Sequence, residues 1–181
     1  RIGSRGSVFV ITAGSGRQRT PLKIAAADHR TATECLLDWL DAEPLFRTIQ
    51  TVAHRVVHGM NHSAPERVTA KLLTELRRIT PYAPEHLPRE IGLIEAIRKR
   101  RPKLCQIACF DTTFHRTMPR VAKLLPIPRR YAAKGVERYG FHGLSFTYLL
   151  DALRRLDPAG AKGRVILAHL GNGASLAAVR D

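Results

Sequence analysis

Hydrophobic positions follow two different periods along this chain, and the two alternate. Apolar runs typical of buried strands occupy residues 7–12, 51–57, 104–110 and 164–179. A further run at 22–27 is placed to return against the first as a hairpin, and a Gly-Asn-Gly turn divides the last run into two strands. Leucine and isoleucine at three- and four-residue spacing predict helices over 31–41, 65–80, 89–100 and 145–156. Because strands and helices alternate, we expect an α/β fold with a mixed sheet.

Proline and glycine mark the connections between these elements. Residues 81–88 hold three prolines and predict a rigid loop, and the prolines at 119, 126 and 128 predict an irregular connection. Residues 157–163 form the most linker-like stretch, so we place a domain boundary there, with one domain over 1–160 and the start of a second over 161–181. The chain begins at an arginine and stops directly after a predicted strand, and we therefore expect it to be a fragment.

Composition narrows the class of protein. The chain has 181 residues, of which 44% are hydrophobic and 25% charged, which is typical of a globular protein with one well-formed core. No apolar stretch approaches the roughly 20 residues that cross a bilayer, so we expect no membrane partner. Cys35, Cys105 and Cys109 are odd in number and lack metal-site spacing, and the last two lie too far apart on one strand to bridge. Reduced cysteines favour a cytoplasmic location.

The formal net charge of +15 points to a protein that handles anions. Its densest run, residues 98–103, is open to two interpretations. One is a nucleic-acid partner, and the other is a helix C-terminus whose cations suit the helix dipole, followed by solvated surface. No nucleic-acid-binding motif accompanies the charge and aromatic residues make up only 6%, so we expect no nucleic-acid partner.

Two polar segments follow predicted strands and suggest phosphoryl transfer. Asp111 ends the run at 104–110, where it can bind Mg²⁺ or orient an acceptor; the alternative is an aspartate that caps the next turn. Gly171 and Gly173 flank Asn172 and allow the backbone to approach a phosphate closely. Both segments are expected at one edge of the sheet, where α/β proteins build their sites.

Three further side chains are candidates for the same edge. Arg55 can hold a carboxylate or phosphate bidentately, or can be a surface arginine on an edge strand. His86 lies between two prolines that would fix its position, although an exposed loop histidine is the simpler interpretation. His142 lies between two glycines before a helix, where it can donate to a phosphoryl oxygen or merely belong to a turn.

Taken together, these segments resemble the acetate kinase family, in the superfamily that also contains sugar kinases and actin. The resemblance is carried by Arg-Val-Val-His-Gly at 55–59, Phe-Asp-Thr-Thr-Phe-His at 110–115, Tyr-Gly-Phe-His-Gly at 139–143 and His-Leu-Gly-Asn-Gly-Ala-Ser at 169–175. It runs from about residue 8 to residue 181 and matches the first part of the family's sequence. It implies a ribonuclease H-like (actin-like ATPase) fold, with the first domain and the start of a second, nucleotide-binding domain.

The resemblance also implies roles for individual residues. The reaction it implies is reversible transfer of the ATP γ-phosphoryl group to acetate, giving acetyl phosphate and ADP, with Mg²⁺ or Mn²⁺ as cofactor and a homodimer as the working form. Asp111 and His142 match catalytic positions, and Asp111 also matches a metal ligand. Arg55, His86, Val57 and Phe141 match positions that bind the acyl substrate, the last two as walls of the pocket for the methyl group. The nucleotide and phosphate site is matched by His169, Gly171, Asn172 and Gly173.

Several positions depart from the family pattern. Thr12 stands where the family has a metal- or phosphate-site asparagine, and Glu85 stands where a pocket leucine is usual. Glu85 either alters acyl-chain selectivity or points away. The remaining departures are Met60 and Asn61 for Gly and Glu, Leu87 for Asn, and Leu144 and Phe146 for Thr and His.

These departures leave alternatives to acetate kinase open. A propionate or butyrate kinase would use the same machinery, and a degenerate, non-catalytic relative would share the motifs without the activity. Since the family's second catalytic arginine, its metal-binding glutamate and its adenosine pocket would follow Asp181, we expect these 181 residues to be inactive on their own. We also expect poor solubility, because a truncated chain exposes part of an interdomain core.

Overall fold

The computed structural model describes residues 8–11, 22–24 and 28–180. The described strands are β1 (Val8–Phe9), β2 (Leu22–Lys23), β3 (Thr51–Val56), β4 (Glu66–Arg67), β5 (Cys105–Phe110), β6 (Arg164–Leu170) and β7 (Ala174–Arg180). The described helices are α1 (His29–Ala42), α2 (Ala70–Arg78), α3 (Leu87–Arg100), α4 (Arg120–Lys123), α5 (Arg129–Ala132), α6 (Gly143–Leu156) and α7 (Pro158–Ala161). Strands and helices alternate, which confirms the predicted α/β class.

The chain divides into two compact units. One consists of Arg1–Val52 and Pro88–Gln106, and the other of Ala53–Leu87 and Ile107–Asp181. Among the helices in the described part of the chain, none has both the length and the apolar composition needed to cross a bilayer.

The first unit is organised around α1 and most of α3. In α1, the Asp28 carboxylate accepts a hydrogen bond from the Thr31 backbone N–H at 2.7 Å and so caps the helix N-terminus. The C-terminal end of α3 is tied to α1 because the Arg100 guanidinium lies 2.6 Å from an Asp38 oxygen and 3.1 Å from an Asp41 oxygen. The isoleucines predicted on one face of α3 are buried, which confirms the helical spacing.

The second unit holds most of a three-stranded sheet in the order β3-β5-β4. β4 runs antiparallel to β5, with Glu66 opposite Ala108. The helix predicted over 65–80 begins only at Ala70, so its first turn was wrong. Glu66 and Arg67 pair with β5 instead, and the Thr69 hydroxyl accepts the Leu72 N–H at 3.1 Å and starts the helix there.

A β-hairpin packed on α6 completes the second unit. β6 and β7 pair antiparallel from Arg164 opposite Arg180 to Leu170 opposite Ala174, as the two predicted strands and their Gly-Asn-Gly turn required. Alternate residues face α6, and the core between them contains Phe146, Leu150, Leu167 and Ala177. α6 also packs against a short 3-10 helix, Asp111–His115, that directly follows β5.

Two connections are more regular than the sequence indicated. The proline-rich connection contains α4 and α5, and the stretch predicted as a linker contains α7, in which Ala161 is buried. The Asp157 carboxylate accepts the Gly160 N–H at 2.9 Å and so starts α7 locally. Residues 107–181 all belong to one compact unit, and the domain boundary near residue 160 stays a prediction.

Candidate active site

A buried carboxylate and a half-exposed guanidinium meet where β3 and β5 end. Asp111 is fully buried, and its Oδ2 accepts hydrogen bonds from Arg55 Nη2 at 2.6 Å and Arg55 Nε at 3.1 Å. Its other oxygen accepts the Leu144 backbone N–H at 3.5 Å, in the first turn of α6. The positive end of the helix dipole therefore adds to the guanidinium in stabilising the charge of Asp111. The sequence placed both residues at one sheet edge, and the structure brings them together.

His142 enters this cluster from an unusual backbone conformation. It precedes α6 with φ 57° and ψ 24°, the left-handed region that non-glycine residues seldom adopt. The next residue, Gly143, is buried, and a Cβ there would overlap the backbone carbonyl of Asp111. The chain can therefore turn into α6 directly against Asp111 only because Gly143 has no side chain. Strain of this kind is concentrated at functional sites.

His142 and His169 form a stacked pair. Their ring centroids lie 4.0 Å apart with an interplanar angle of 10°. Burial lowers the pKa of the His142 imidazole below its ordinary range, and the neighbouring His169 ring lowers this pKa further. His142 is consequently neutral at pH 7. The resemblance assigned the two histidines different roles, and the structure places their rings in contact.

The Gly-Asn-Gly turn lies at the edge of this histidine pair. The Gly171 N–H donates to the Gly173 carbonyl at 3.0 Å and closes the turn, and all three of its residues are exposed. A Cβ on Gly173 would lie 3.3 Å from both Cε1 and Nε2 of His142. The turn is therefore exposed to solvent and approaches the His142 imidazole.

Aromatic rings surround the buried imidazole of His58. His58 is 1% exposed, and its chain neighbour Val57 is also buried, whereas Phe141 is half-buried. The His58 ring contacts Tyr139 and Phe141 at centroid distances of 4.5 and 5.6 Å, and its Nδ1 accepts the Met60 backbone N–H at 3.1 Å. Burial lowers the pKa of the His58 imidazole.

Three residues in this region were not predicted as site residues. His58 directly follows the apolar run at 51–57 and belongs to the motif at 55–59, and that position was the available signal of its burial. Ser145 and Ser175 bond the two stacked histidines, with Oγ to Nδ1 distances of 3.1 and 2.5 Å. Ser175 ends the motif at 169–175, whereas nothing in the sequence distinguished Ser145.

The remaining candidates make no hydrogen bond, ion pair or ring contact with this cluster or lie outside the residues that the structure describes. The His86 side chain is exposed, and no hydrogen bond, ion pair or ring contact joins it to another described residue. Its role in binding the acyl substrate stays a prediction. Glu85 is likewise exposed, whereas Leu87 is fully buried. Thr12, the tentative metal-site position, lies outside the described residues.

The side chains at this site can hold a divalent metal only if a bound ligand supplies further oxygen atoms to the metal. Asp111 offers one buried carboxylate, and the described residues contain no group of three or more His, Cys, Asp or Glu side chains that could hold a metal ion. Mg²⁺ is commonly held by one or two carboxylates together with substrate phosphates and water. Asp111 beside an open phosphate-binding turn suits that arrangement.

Comparison with known proteins finds related sequences over most of this chain. The sequence model of the acetokinase family matches residues 1–181. Acetate kinase of Methylocella silvestris is 45% identical over 159 residues, which cover 87% of this chain and 39% of that protein. Acetate kinase of Rhodopseudomonas palustris (strain TIE-1) is 42% identical over 170 residues, covering 92% of this chain and 42% of that protein. The chain thus spans about two fifths of the length of these curated relatives.

Solved structures agree as well and support the predicted fold class. A crystal structure of Porphyromonas gingivalis acetate kinase matches with a TM-score of 0.81 at 32% identity, over 99% of this chain and 47% of that one. A propionate kinase from Francisella tularensis matches with a TM-score of 0.86 at 31% identity, over 99% of this chain and 46% of that one.

Proposed function

This chain belongs to the acetokinase family, and on that premise we propose that the whole protein transfers the γ-phosphoryl group of ATP to acetate. One observation supports the proposal above all. The Arg55 guanidinium binds the buried Asp111 carboxylate where β3 and β5 end, beside the start of α6. His142, which precedes α6, stacks on His169, and His169 lies two residues before the Gly-Asn-Gly turn. Phosphoryl transfer needs such groups, because its catalysis consists mainly of positioning and of charge stabilisation.

In the proposed reaction, an acetate oxygen attacks the γ-phosphorus. The bond from that phosphorus to the β,γ-bridging oxygen breaks, and ADP leaves with the electron pair. A carboxylate is already ionised at pH 7, so no general base is needed. Arg55 is suited to hold the acetate because 54% of its side chain is exposed although it is anchored on Asp111.

The other side chains act on the group in transfer. His142 is neutral and can donate one hydrogen bond to a phosphoryl oxygen, and the turn at 171–173 can receive the phosphates of ATP. Asp111 would hold a divalent metal together with those phosphates; when bound, the metal spreads the negative charge of the phosphoryl group. Magnesium or manganese as the metal, a homodimer and a cytoplasmic location belong to this proposal.

Propionate is the second candidate substrate, and the match to a propionate kinase structure favours keeping it. Val57 and Phe141 would form the wall against the acyl chain. One methylene in an apolar pocket changes the transition-state free energy by only about 1–3 kcal/mol, so the two activities are expected to overlap.

Hydroxylamine trapping of acyl phosphate tests the proposal. The whole protein is incubated with MgATP and acetate or propionate, as wild type, as Arg55→Ala and as Arg154→Ala. Arg154 is a matched control, a surface arginine on α6 that is 3.1 Å from Asp151. We expect acyl hydroxamate from the wild type and the control, and loss of at least about a hundredfold in Arg55→Ala. No acyl hydroxamate from a folded wild type on either acid would refute the function and favour the degenerate relative.

A further inference from the structure

Two serine hydroxyls connect the stacked histidines in a crossed pattern. His142, at the start of α6, bonds through Nδ1 to Ser175 on β7 at 2.5 Å. His169, on β6, bonds through Nδ1 to Ser145 on α6 at 3.1 Å. Ser175 is also the residue directly opposite His169 in the hairpin register. The β6–β7 hairpin, which carries His169, thus supplies the Nδ1 partner of His142, and α6, which His142 precedes, supplies that of His169.

With both Nδ1 atoms occupied, the Nε2 edges are the sides left for a ligand. A Cβ on Gly173 would lie 3.3 Å from Nε2 of His142, and a Cβ on Gly171 would lie 3.4 Å from Nε2 of His169. The Nε2 edge of each ring therefore lies next to one glycine of the turn. A phosphate oxygen seated on this turn would meet both Nε2 atoms.

A serine hydroxyl can determine whether each Nε2 atom presents a hydrogen or a lone pair. A neutral imidazole carries one N–H, and the hydroxyl can donate its proton to Nδ1, which leaves the N–H on Nε2. A carboxylate or a backbone carbonyl could not do this, because it only accepts hydrogen bonds. His142 is neutral because burial and His169 lower its pKa, so its tautomer matters. An Nε2–H donates to a phosphate oxygen, whereas a bare Nε2 presents a lone pair that repels it.

We propose that Ser145 and Ser175 are positioning residues that hold His169 and His142 as Nε2–H tautomers aimed at a phosphate group on the 171–173 turn. The identity of the phosphate, the γ-phosphoryl group of ATP, rests on the proposed function. The tautomers themselves are a property of the chain and can be measured without turnover.

Nitrogen NMR on the whole protein with nitrogen-15-labelled histidine provides the first test. In the wild type, we expect the two imidazoles at neutral pH to carry the proton on Nε2, with signals assigned through His142→Gln and His169→Gln. Ser175→Ala should shift part of the His142 population to the Nδ1–H tautomer, and Ser175→Thr, which keeps the hydroxyl, should restore it. Thr147→Ala is the matched control, since Thr147 bonds only the Gly143 carbonyl in α6. Unchanged tautomers in Ser175→Ala and Ser145→Ala would overturn the inference and leave the proposed function intact.

Kinetics on the whole protein provide the second test. Losing one positioning hydrogen bond should lower kcat about tenfold in Ser175→Ala while KM for acetate changes less than about twofold. Ser175→Thr should recover most of the kcat. A tautomer shift without any change in kcat would also overturn the inference. A wild type that forms no acyl phosphate would instead refute the proposed function, and the NMR result would still decide whether the serines set the tautomers.

Discussion

The ion pair between Arg55 and Asp111 should dominate the local stability of the second unit. Two charge-assisted hydrogen bonds, at 2.6 and 3.1 Å, join a fully buried carboxylate to a guanidinium that is 54% exposed. Breaking a fully buried pair by removing one partner costs about 3–5 kcal/mol. Water reaches the exposed side of Arg55 and weakens the pair, so the cost is smaller here. We expect Arg55→Ala to lower the free energy of unfolding by about 2 kcal/mol.

A double-mutant cycle measures the pair itself. We would determine the free energy of unfolding in urea for the wild type, Arg55→Ala, Asp111→Ala and the double variant. The expected coupling energy is about 1.5–2.5 kcal/mol, because each single change removes both hydrogen bonds. The same cycle on the exposed pair of Arg154 and Asp151, at 3.1 Å in α6, should give less than about 0.5 kcal/mol. Additivity within about 0.5 kcal/mol at Arg55 and Asp111 would refute the reasoning.

Three further predictions concern stability. Leu167→Ala should lower the free energy of unfolding in urea by about 2–5 kcal/mol, because Leu167 packs against α6. Its neighbour Ile166 is 75% exposed, so Ile166→Ala should lower it by about 0.5 kcal/mol or less. Equal losses in the two variants would contradict the hairpin register. Since burial lowers the pKa of His58 from its ordinary 6.5, the unfolded state binds more protons, and stability should fall as the pH drops below about 6.5. His58→Gln should flatten that dependence, and an unchanged slope would be the contrary result. Gly143→Ala should destabilise by about 1–3 kcal/mol, because its Cβ would overlap the Asp111 carbonyl; wild-type stability would show that the backbone yields there.

The sequence predicted the helices and strands of this fold well where the spacing of their hydrophobic residues was uninterrupted. The β6–β7 hairpin and α6 appear as predicted, because their apolar residues face one common core. The helix at 65–80 was predicted too long, because Glu66 and Arg67 pair with β5, and a non-local pairing of this kind leaves no periodic signal. Of the first strands, only Val8–Phe9 and Leu22–Lys23 are described, and they pair antiparallel as the hairpin prediction required.

The sequence predicted which residues form the site better than it predicted the contacts between them. Asp111, Arg55 and His142 were each identified at the end of an apolar run or in a glycine turn, and the structure brings them to one place. Their partners could not be predicted, because a hydrogen bond such as that from Ser175 to His142 depends on the relative placement of the hairpin and α6. His86 is exposed, as the simpler interpretation of a loop histidine expected, and its role in the site stays a prediction.

Labelling of the acyl oxygen tests the central claim most directly. The whole protein would be incubated with unlabelled MgATP and with acetate that carries oxygen-18 in both carboxylate positions, and the acyl phosphate formed would be observed by phosphorus NMR. If the acetate oxygen attacks the γ-phosphorus, the product must show the isotope shift of one bridging oxygen-18, and Asp111→Asn must suppress its formation. Release of inorganic phosphate alone, or acyl phosphate without the shift, would contradict the account.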